Sequence, residues 1–98
     1  MTTLSPFQEK CSDELKKVLR HIGHNIRTWN IVKGREETYI EVNLDRVKIW
    51  IYEDGACWQG VGRNRVFEAV DYDSLDDLQR AFLAEISVAL SKKADGCD

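Results

Sequence analysis

The chain has 98 residues, of which 43% are hydrophobic and 32% are charged. This balance is typical of one globular domain rather than of a disordered segment. The formal net charge of −3 argues against a strongly basic nucleic-acid-binding protein, and no apolar run is long enough to span a membrane.

The cysteine content and the N-terminal residues indicate the compartment. Cys11, Cys57 and Cys97 are odd in number and widely spaced, unlike a disulfide framework. The first six residues lack the basic start and apolar run of a secretory signal. We therefore expect reduced thiols and a cytoplasmic location. The chain is expected to form a single domain over 1–98, with a core over about 5–92 and a loose tail over 94–98.

The first predicted element is a helix over residues 6–22. Ser5 provides a capping hydroxyl, and Pro6 suits the first helical position. Gly23 is a typical helix terminator. Between them, apolar residues recur at helical spacing and form one stripe: Phe7, Cys11, Leu15, Val18, Leu19 and Ile22.

From about residue 26, apolar and polar residues alternate, which predicts strands with one buried face. A turn at Gly34-Arg35 would return a first strand, about 26–33, with Trp29 and Ile31 on the inner face. A two-residue turn at Asp45-Arg46 would then match buried positions with buried positions. Its pairs are Leu44–Val47, Val42–Ile49 and Ile40–Ile51.

Two further turns complete the predicted sheet. Asp54-Gly55 is a favoured hairpin turn. It predicts that Ile51 pairs with Trp58, Ile49 with Gly60, Tyr52 with Cys57 and Trp50 with Gln59. Arg63-Asn64 predicts a turn into a fifth strand, about 65–70, with Phe67 opposite Gly60; the alternative is a bulge or loop at 60–62.

A second helix follows Asp73 and Ser74, where Ser74 and Asp77 approximate a capping box. Its apolar stripe contains Leu75, Leu78, Phe82, Ile86, Ala89 and Leu90. The predicted fold class is therefore α+β, in the order α-β-β-β-β-(β)-α. It is a two-layer sandwich in which a four- to five-stranded antiparallel meander carries both helices on one face.

The outer face of this sheet is the first candidate site. Aromatic residues surrounded by polar ones are typical of a protein interface. The alternative is that aromatic residues simply favour strands, with Lys and Glu side chains lying over the rings. The candidate partner-binding residues on this face are Tyr39, Glu41, Trp50, Tyr52 and Gln59, and the last turn and fifth strand would add Val61, Val66 and Glu68.

The second candidate is an acidic run made of Asp71, Asp73, Asp76 and Asp77. Residues 71–98 carry three Lys or Arg against seven Asp or Glu, whereas residues 1–70 carry eleven against ten. The run is expected to attract a basic protein partner. The alternatives are helix capping with dipole complementarity and a carboxylate metal site, which needs a more defined geometry.

No catalytic residue, metal ligand or cofactor is predicted. Gly23 separates His21 from His24, so their spacing does not predict a zinc pair. The neighbouring Glu53 and Asp54 make Cys57 a poor candidate for a reactive thiol.

The order helix, three strands, helix is similar to that of the double-stranded-RNA-binding domain, which grips phosphates with lysines at the start of its last helix. Here that stretch is Ser74-Leu75-Asp76-Asp77-Leu78, so the resemblance covers topology and no nucleic acid is expected. In size, acidity and architecture the chain resembles inhibitor or immunity proteins that neutralise basic toxins such as nucleases. We therefore expect a non-enzymatic protein-binding domain. The alternatives are a homodimer or accessory subunit that uses the outer face, and a small enzyme.

Overall fold

A computed structural model describes residues 4–60 and 62–94, so Cys97 and most of the predicted tail lie outside the described residues. The chain forms two α-helices, five strands and a short 3-10 helix at Ala69–Asp71. The helices are α1 (Pro6–Ile22) and α2 (Leu75–Ala94), and the strands are β1 (Thr28–Lys33), β2 (Thr38–Asn43), β3 (Val47–Tyr52), β4 (Gly55–Gly60) and β5 (Arg63–Glu68).

The five strands form one antiparallel sheet in the order β1-β2-β3-β4-β5, and both helices pack on one of its faces. The predicted fold class is confirmed. The side chains expected on the helix-facing side are all buried, and they are Ile40, Val42, Ile49, Ile51 and Trp58. The outer face is the opposite side of the sheet, and it carries Trp50 and Tyr52 as predicted.

Helix α1 begins and ends where the sequence predicts. The Ser5 hydroxyl accepts a hydrogen bond from the Gln8 backbone N–H at 3.2 Å, and the Gln8 side chain accepts one from the Ser5 N–H at 2.9 Å. Gln8 is also buried, and its Nε2 donates to the carbonyl oxygens of Thr38 at 2.7 Å and Ile51 at 3.3 Å. One polar side chain thus caps α1 and joins it to β2 and β3.

Helix α2 is joined to the other half of the sheet through Glu85. The carboxylate of Glu85 accepts a hydrogen bond from Trp58 Nε1 at 3.0 Å and another from Arg65 Nε at 2.7 Å. At the start of the helix, the Ser74 hydroxyl accepts the Asp77 N–H at 3.1 Å, as the predicted cap requires.

The two helices run in the same direction. Lys10, near the start of α1, forms an ion pair with Asp76, near the start of α2, at 3.3 Å. His24, just after α1, has Nε2 at 3.4 Å from the carbonyl oxygen of Leu90, near the end of α2. Both helices therefore begin at the same end of the sheet.

The hairpin at Asp45-Arg46 has the predicted register, but the next hairpin does not. Glu53-Asp54 forms the turn, so Ile49 faces Trp58 and Ile51 faces Ala56. Gly55 lies in β4 instead, where an added Cβ would come within 2.7 Å of the carbonyl oxygen of Phe67. The predicted register is wrong by two residues, which leaves every side chain on its predicted face.

The two remaining connections also differ from the predicted turns. Strand β5 begins at Arg63, opposite Gly60, so Phe67 faces Ala56 instead of Gly60. Gly62, in the turn before it, adopts the left-handed conformation that glycine accommodates, with φ of 78°. Between β1 and β2 the loop spans 34–37, and the Gly34 N–H donates to the Glu37 carbonyl at 2.9 Å.

Candidate functional site

The residues predicted on the outer face lie there, on the side of the sheet opposite both helices, except Val61, which is outside the described residues. The rings of Tyr39 and Tyr52 form a pair, with centroids 5.3 Å apart. Gln59 is placed differently from its prediction, because it faces Lys48 and Asn64. The outer face therefore has an aromatic part around the two tyrosines and a separate polar part around Gln59.

Trp50 is half-buried between Glu41 on β2 and Cys57 on β4. Lys48 Nζ lies 6.0 Å from the Trp50 ring centroid and 4.0 Å from the Glu41 carboxylate. A lysine therefore lies near the Trp50 ring, as one part of the alternative interpretation expects, and Glu41 pairs with that lysine. The centre of an interface is therefore better sought beside Tyr52 than at Trp50.

Beside Tyr52, the outer face contains an open hollow of about 460 Å³, which we call the outer hollow. Val66 is 63% exposed and Val70 is 83% exposed, the highest values among the large apolar side chains that the structure describes. Both line the outer hollow, together with Tyr52, Glu37, Asp54 and Glu68. Its surface is thus partly apolar and partly anionic.

The three carboxylates of the outer hollow come from separate segments: Glu37 precedes β2, Asp54 follows β3 and Glu68 ends β5. Within residues 4–60 and 62–94, no lysine or arginine side chain forms an ion pair with any of these three carboxylates. The Glu37 carboxylate accepts the Glu53 N–H at 3.1 Å, which orients it. The outer hollow can therefore receive a cation from outside.

Tyr52 and Cys57 keep their protons at neutral pH. Burial, followed by the nearby Cys57 thiol, raises the pKa of Tyr52 to about 12. Burial also raises the pKa of the Cys57 thiol, although Tyr52 acts in the opposite direction. A protonated thiol is a weak nucleophile, so this pair supplies a hydroxyl donor rather than a reactive cysteine.

All four aspartates of the predicted acidic run are exposed, and two of them form ion pairs. Asp76 pairs with Lys10 at 3.3 Å, and Asp77 lies 3.9 Å from Arg80 while its N–H is capped by Ser74. Asp71 and Asp73 form no ion pair with a described lysine or arginine. Helix capping and ion pairing therefore account for half of the run, as the alternative reading expects.

The charges are nevertheless strongly polarised along the strands. The end where both helices begin, which we call the acidic end, has three connecting segments, 34–37, 53–54 and 69–74. They carry six carboxylates against the single arginine Arg35. The opposite end, the basic end, collects Arg20, Arg27, Arg46 and Arg63. The outer hollow lies at the acidic end.

Glu37, Asp54 and Val70 were not predicted as site residues. A signal for the first two was present, because alternate connections of a meander lie at the same end of its sheet. Loops 34–37 and 53–54 are both acidic and are separated by one hairpin, so their charges combine at that end. The position of Val70 depends on the 3-10 helix after β5, which the alternation pattern does not predict.

Neither a metal site nor a membrane-spanning helix is found in the described part of the chain. No group of three His, Cys, Asp or Glu residues there is placed to hold a metal ion. No described helix is both long and apolar enough to cross a bilayer. His21 is exposed at the end of α1, while His24 lies against the last turns of α2.

Comparisons of the chain with models of known protein families, with curated proteins and with solved structures found no significant match.

Proposed function

We propose that this chain is a non-enzymatic binding domain that captures a basic protein partner at the acidic end of its outer face. The observation that carries this proposal is the outer hollow. Val66 and Val70, the two most exposed large apolar side chains among the described residues, line it together with Tyr52 and three carboxylates for which no described residue forms an ion pair. Exposed apolar surface bordered by polar groups is typical of a protein interaction site.

The lining of the outer hollow matches a lysine or arginine side chain. Such side chains combine an apolar stem with a cationic head. The stem would lie against Val66 and Val70, and the head would reach Glu37, Asp54 or Glu68. An arginine could bind a carboxylate through two parallel hydrogen bonds.

The charge polarity supports the same partner class. A domain with six carboxylates in three neighbouring segments at one end attracts a positively charged surface over long range. The aromatic pair of Tyr39 and Tyr52 would then provide rigid contact area beside the captured cation. Attraction by the carboxylates followed by contact with the tyrosines suits an inhibitor or immunity-type protein that neutralises a basic toxin such as a nuclease.

The test compares three immobilised baits in an extract of the source cells: wild type, Asp54→Lys and Asp45→Lys. Asp45 is an exposed aspartate at the basic end, where it lies 3.7 Å from Arg27. Asp45→Lys therefore makes the same change of charge as Asp54→Lys, but at the end of the sheet opposite the outer hollow. We expect a basic protein to bind wild type and Asp45→Lys in stoichiometric amounts and to be lost from Asp54→Lys. Equal retention by all three baits would contradict the proposal.

Kinetics with the captured partner would separate the two parts of the site. Asp54→Lys should slow association and weaken its dependence on salt. Tyr52→Ala should speed dissociation by about thirty-fold, which corresponds to about 2 kcal/mol for a central contact residue. Circular dichroism should show that both variants are folded. If both bind as wild type does, the outer hollow is not the interface.

A further inference from the structure

The two edges of the sheet are protected to very different degrees. An edge strand carries backbone N–H and C=O groups that can pair with another chain, and charged side chains usually discourage this. Strand β5 carries Arg63, Arg65 and Glu68. Strand β1 is Thr-Trp-Asn-Ile-Val-Lys, so its first five residues are uncharged.

Strand β1 also exposes apolar surface that belongs to the inner face. Ile31 lies across from the buried Ile40, yet Ile31 itself is 48% exposed. Trp29, two residues earlier on the same face, is half-buried beneath Lys16 of α1, whose Nζ is 4.5 Å from the ring centroid. The apolar layer of the domain therefore continues to this edge, where the described residues leave about half of Ile31 uncovered.

We propose that two copies of this chain associate through β1, paired antiparallel about a two-fold axis beside Asn30, so that the two sheets become one. This surface is separate from the outer hollow, and the proposal does not depend on the proposed function. Antiparallel pairing of a strand with itself is a closed, self-complementary contact. Asn30 then faces the partner's Asn30.

The proposed register gives each inner-face residue of β1 an apolar neighbour. Trp29 faces the partner's Ile31, and a large aromatic beside a β-branched residue is a favourable cross-strand pair. On the other face, Thr28 meets the partner's Val32. The like charges of Arg27 and the partner's Lys33 meet at the ends of the contact, where Arg27 is already close to Asp45.

The adjacent surface of α1 has the charge pattern that a two-fold axis requires. Glu9, Asp13, Lys16 and Arg20 are all exposed, and their spacing places them on one side of the helix. Because Lys16 lies over Trp29, this side faces the β1 edge. The two-fold axis makes the partner's α1 antiparallel to α1 of this copy. Asp13 then lies towards the partner's Lys16, and Glu9 lies towards the partner's Arg20.

The test is the mass in solution, measured by sedimentation velocity from low micromolar to near-millimolar protein. We expect wild type to shift from 11.3 kDa to twice that mass as the concentration rises. Ile31→Lys, which adds a charge to β1, should stay monomeric at every concentration. Val66→Lys is the matched control, since it changes a 63% exposed apolar residue of the other edge strand, and it should still dimerise.

Three results would overturn the proposal. The first is a wild type that stays monomeric at every concentration, and the second is a dimer that survives Ile31→Lys. The third is loss of the dimer in Val66→Lys, which would place the contact on the outer face or on β5. Circular dichroism would establish that the variants fold.

Cross-linking tests the register without relying on Ile31. In a Cys57→Ser, Cys97→Ser background, Asn30→Cys should form a disulfide-linked dimer on mild oxidation, because opposed residues have Cα atoms about 5 Å apart. Val32→Cys should not, since it would face the partner's Thr28 and lie about 13 Å along the strand from its own copy. The reverse outcome would contradict the register.

Discussion

Glu85 offers a sharp test of how α2 is held on the sheet. Its carboxylate accepts one hydrogen bond from Trp58, which is 1% exposed, and another from Arg65. Both bonds end on the same oxygen, Oε2, so Glu85→Ala removes the acceptor of both at once. The indole N–H of Trp58 is then left without its partner inside the protein, and Arg65 turns to solvent.

The expected loss can be worked out bond by bond. A hydrogen bond from a buried donor to a charged acceptor contributes about 1.5–3 kcal/mol. The Arg65 pair is partly solvent-exposed, with 49% and 28% of the two side chains accessible, so solvent screening makes its contribution the smaller of the two. Glu85→Ala should therefore lower the free energy of unfolding by about 2–3 kcal/mol.

Urea denaturation followed by circular dichroism would measure this loss in two backgrounds, wild type and Trp58→Phe. Phenylalanine has no N–H, so in that background Glu85→Ala should lower the free energy of unfolding by clearly less than it does in wild type. An equal loss in both backgrounds would refute the reasoning, because the Trp58 bond would then contribute nothing.

Acid titration gives an independent check on the same carboxylate. The hydrogen bond from Arg65, opposed by burial and aided by Trp58, lowers the pKa of Glu85 below its ordinary value of 4.5. A carboxylate whose pKa is lowered in the folded state stabilises the fold at pH values above its ordinary pKa. This contribution is lost as the pH falls through the folded-state pKa. The stability gap between wild type and Glu85→Gln should therefore narrow on acidification below pH 4.5.

A further substitution tests the hydrogen bonds of Gln8, and thiol measurements test the state of the cysteines. Gln8→Leu should lower the free energy of unfolding by about 2–3 kcal/mol, because the Thr38 and Ile51 carbonyls and the Ser5 N–H lose a partner. Thermal melting would show this loss as a lower melting temperature. An unchanged melting temperature would contradict it. In the folded protein, the half-buried Cys57 should react slowly with a thiol reagent, and Cys11, whose pKa burial raises to about 12, should react only on unfolding. The unfolded, unreduced chain should then show three thiols, and a count of one would reveal a disulfide.

The sequence predicts the β2–β3 hairpin correctly because the pairing is constrained from both sides. Apolar residues flank Asp45-Arg46 symmetrically, so a one-residue shift would oppose buried and exposed positions. A two-residue shift would place the apolar Leu44 or Val47 in the turn itself. The next hairpin lacks this constraint. A shift of two residues preserves the alternation, and the glycine that suggests a turn at Asp54-Gly55 is needed elsewhere, for the close approach of Phe67.

The candidate site was only partly predictable for a related reason. Strand periodicity places Tyr39 and Tyr52 on the outer face, and each residue can be assigned from its own neighbours in sequence. The outer hollow instead depends on which loops share an end of the sheet, and on the exact turn that carries Asp54. Such long-range placement follows from topology rather than from local pattern.

The shared direction of the two helices has a practical consequence for every binding measurement. The Ser5 hydroxyl, at the start of α1, lies 3.4 Å from the Glu53 carbonyl, next to Asp54 of the outer hollow. Helix α2 runs away from that point for 20 residues, about 30 Å. A purification tag or surface linker joined just before α1 would thus start near Asp54 of the outer hollow, whereas one joined after α2 would start about 30 Å from that point.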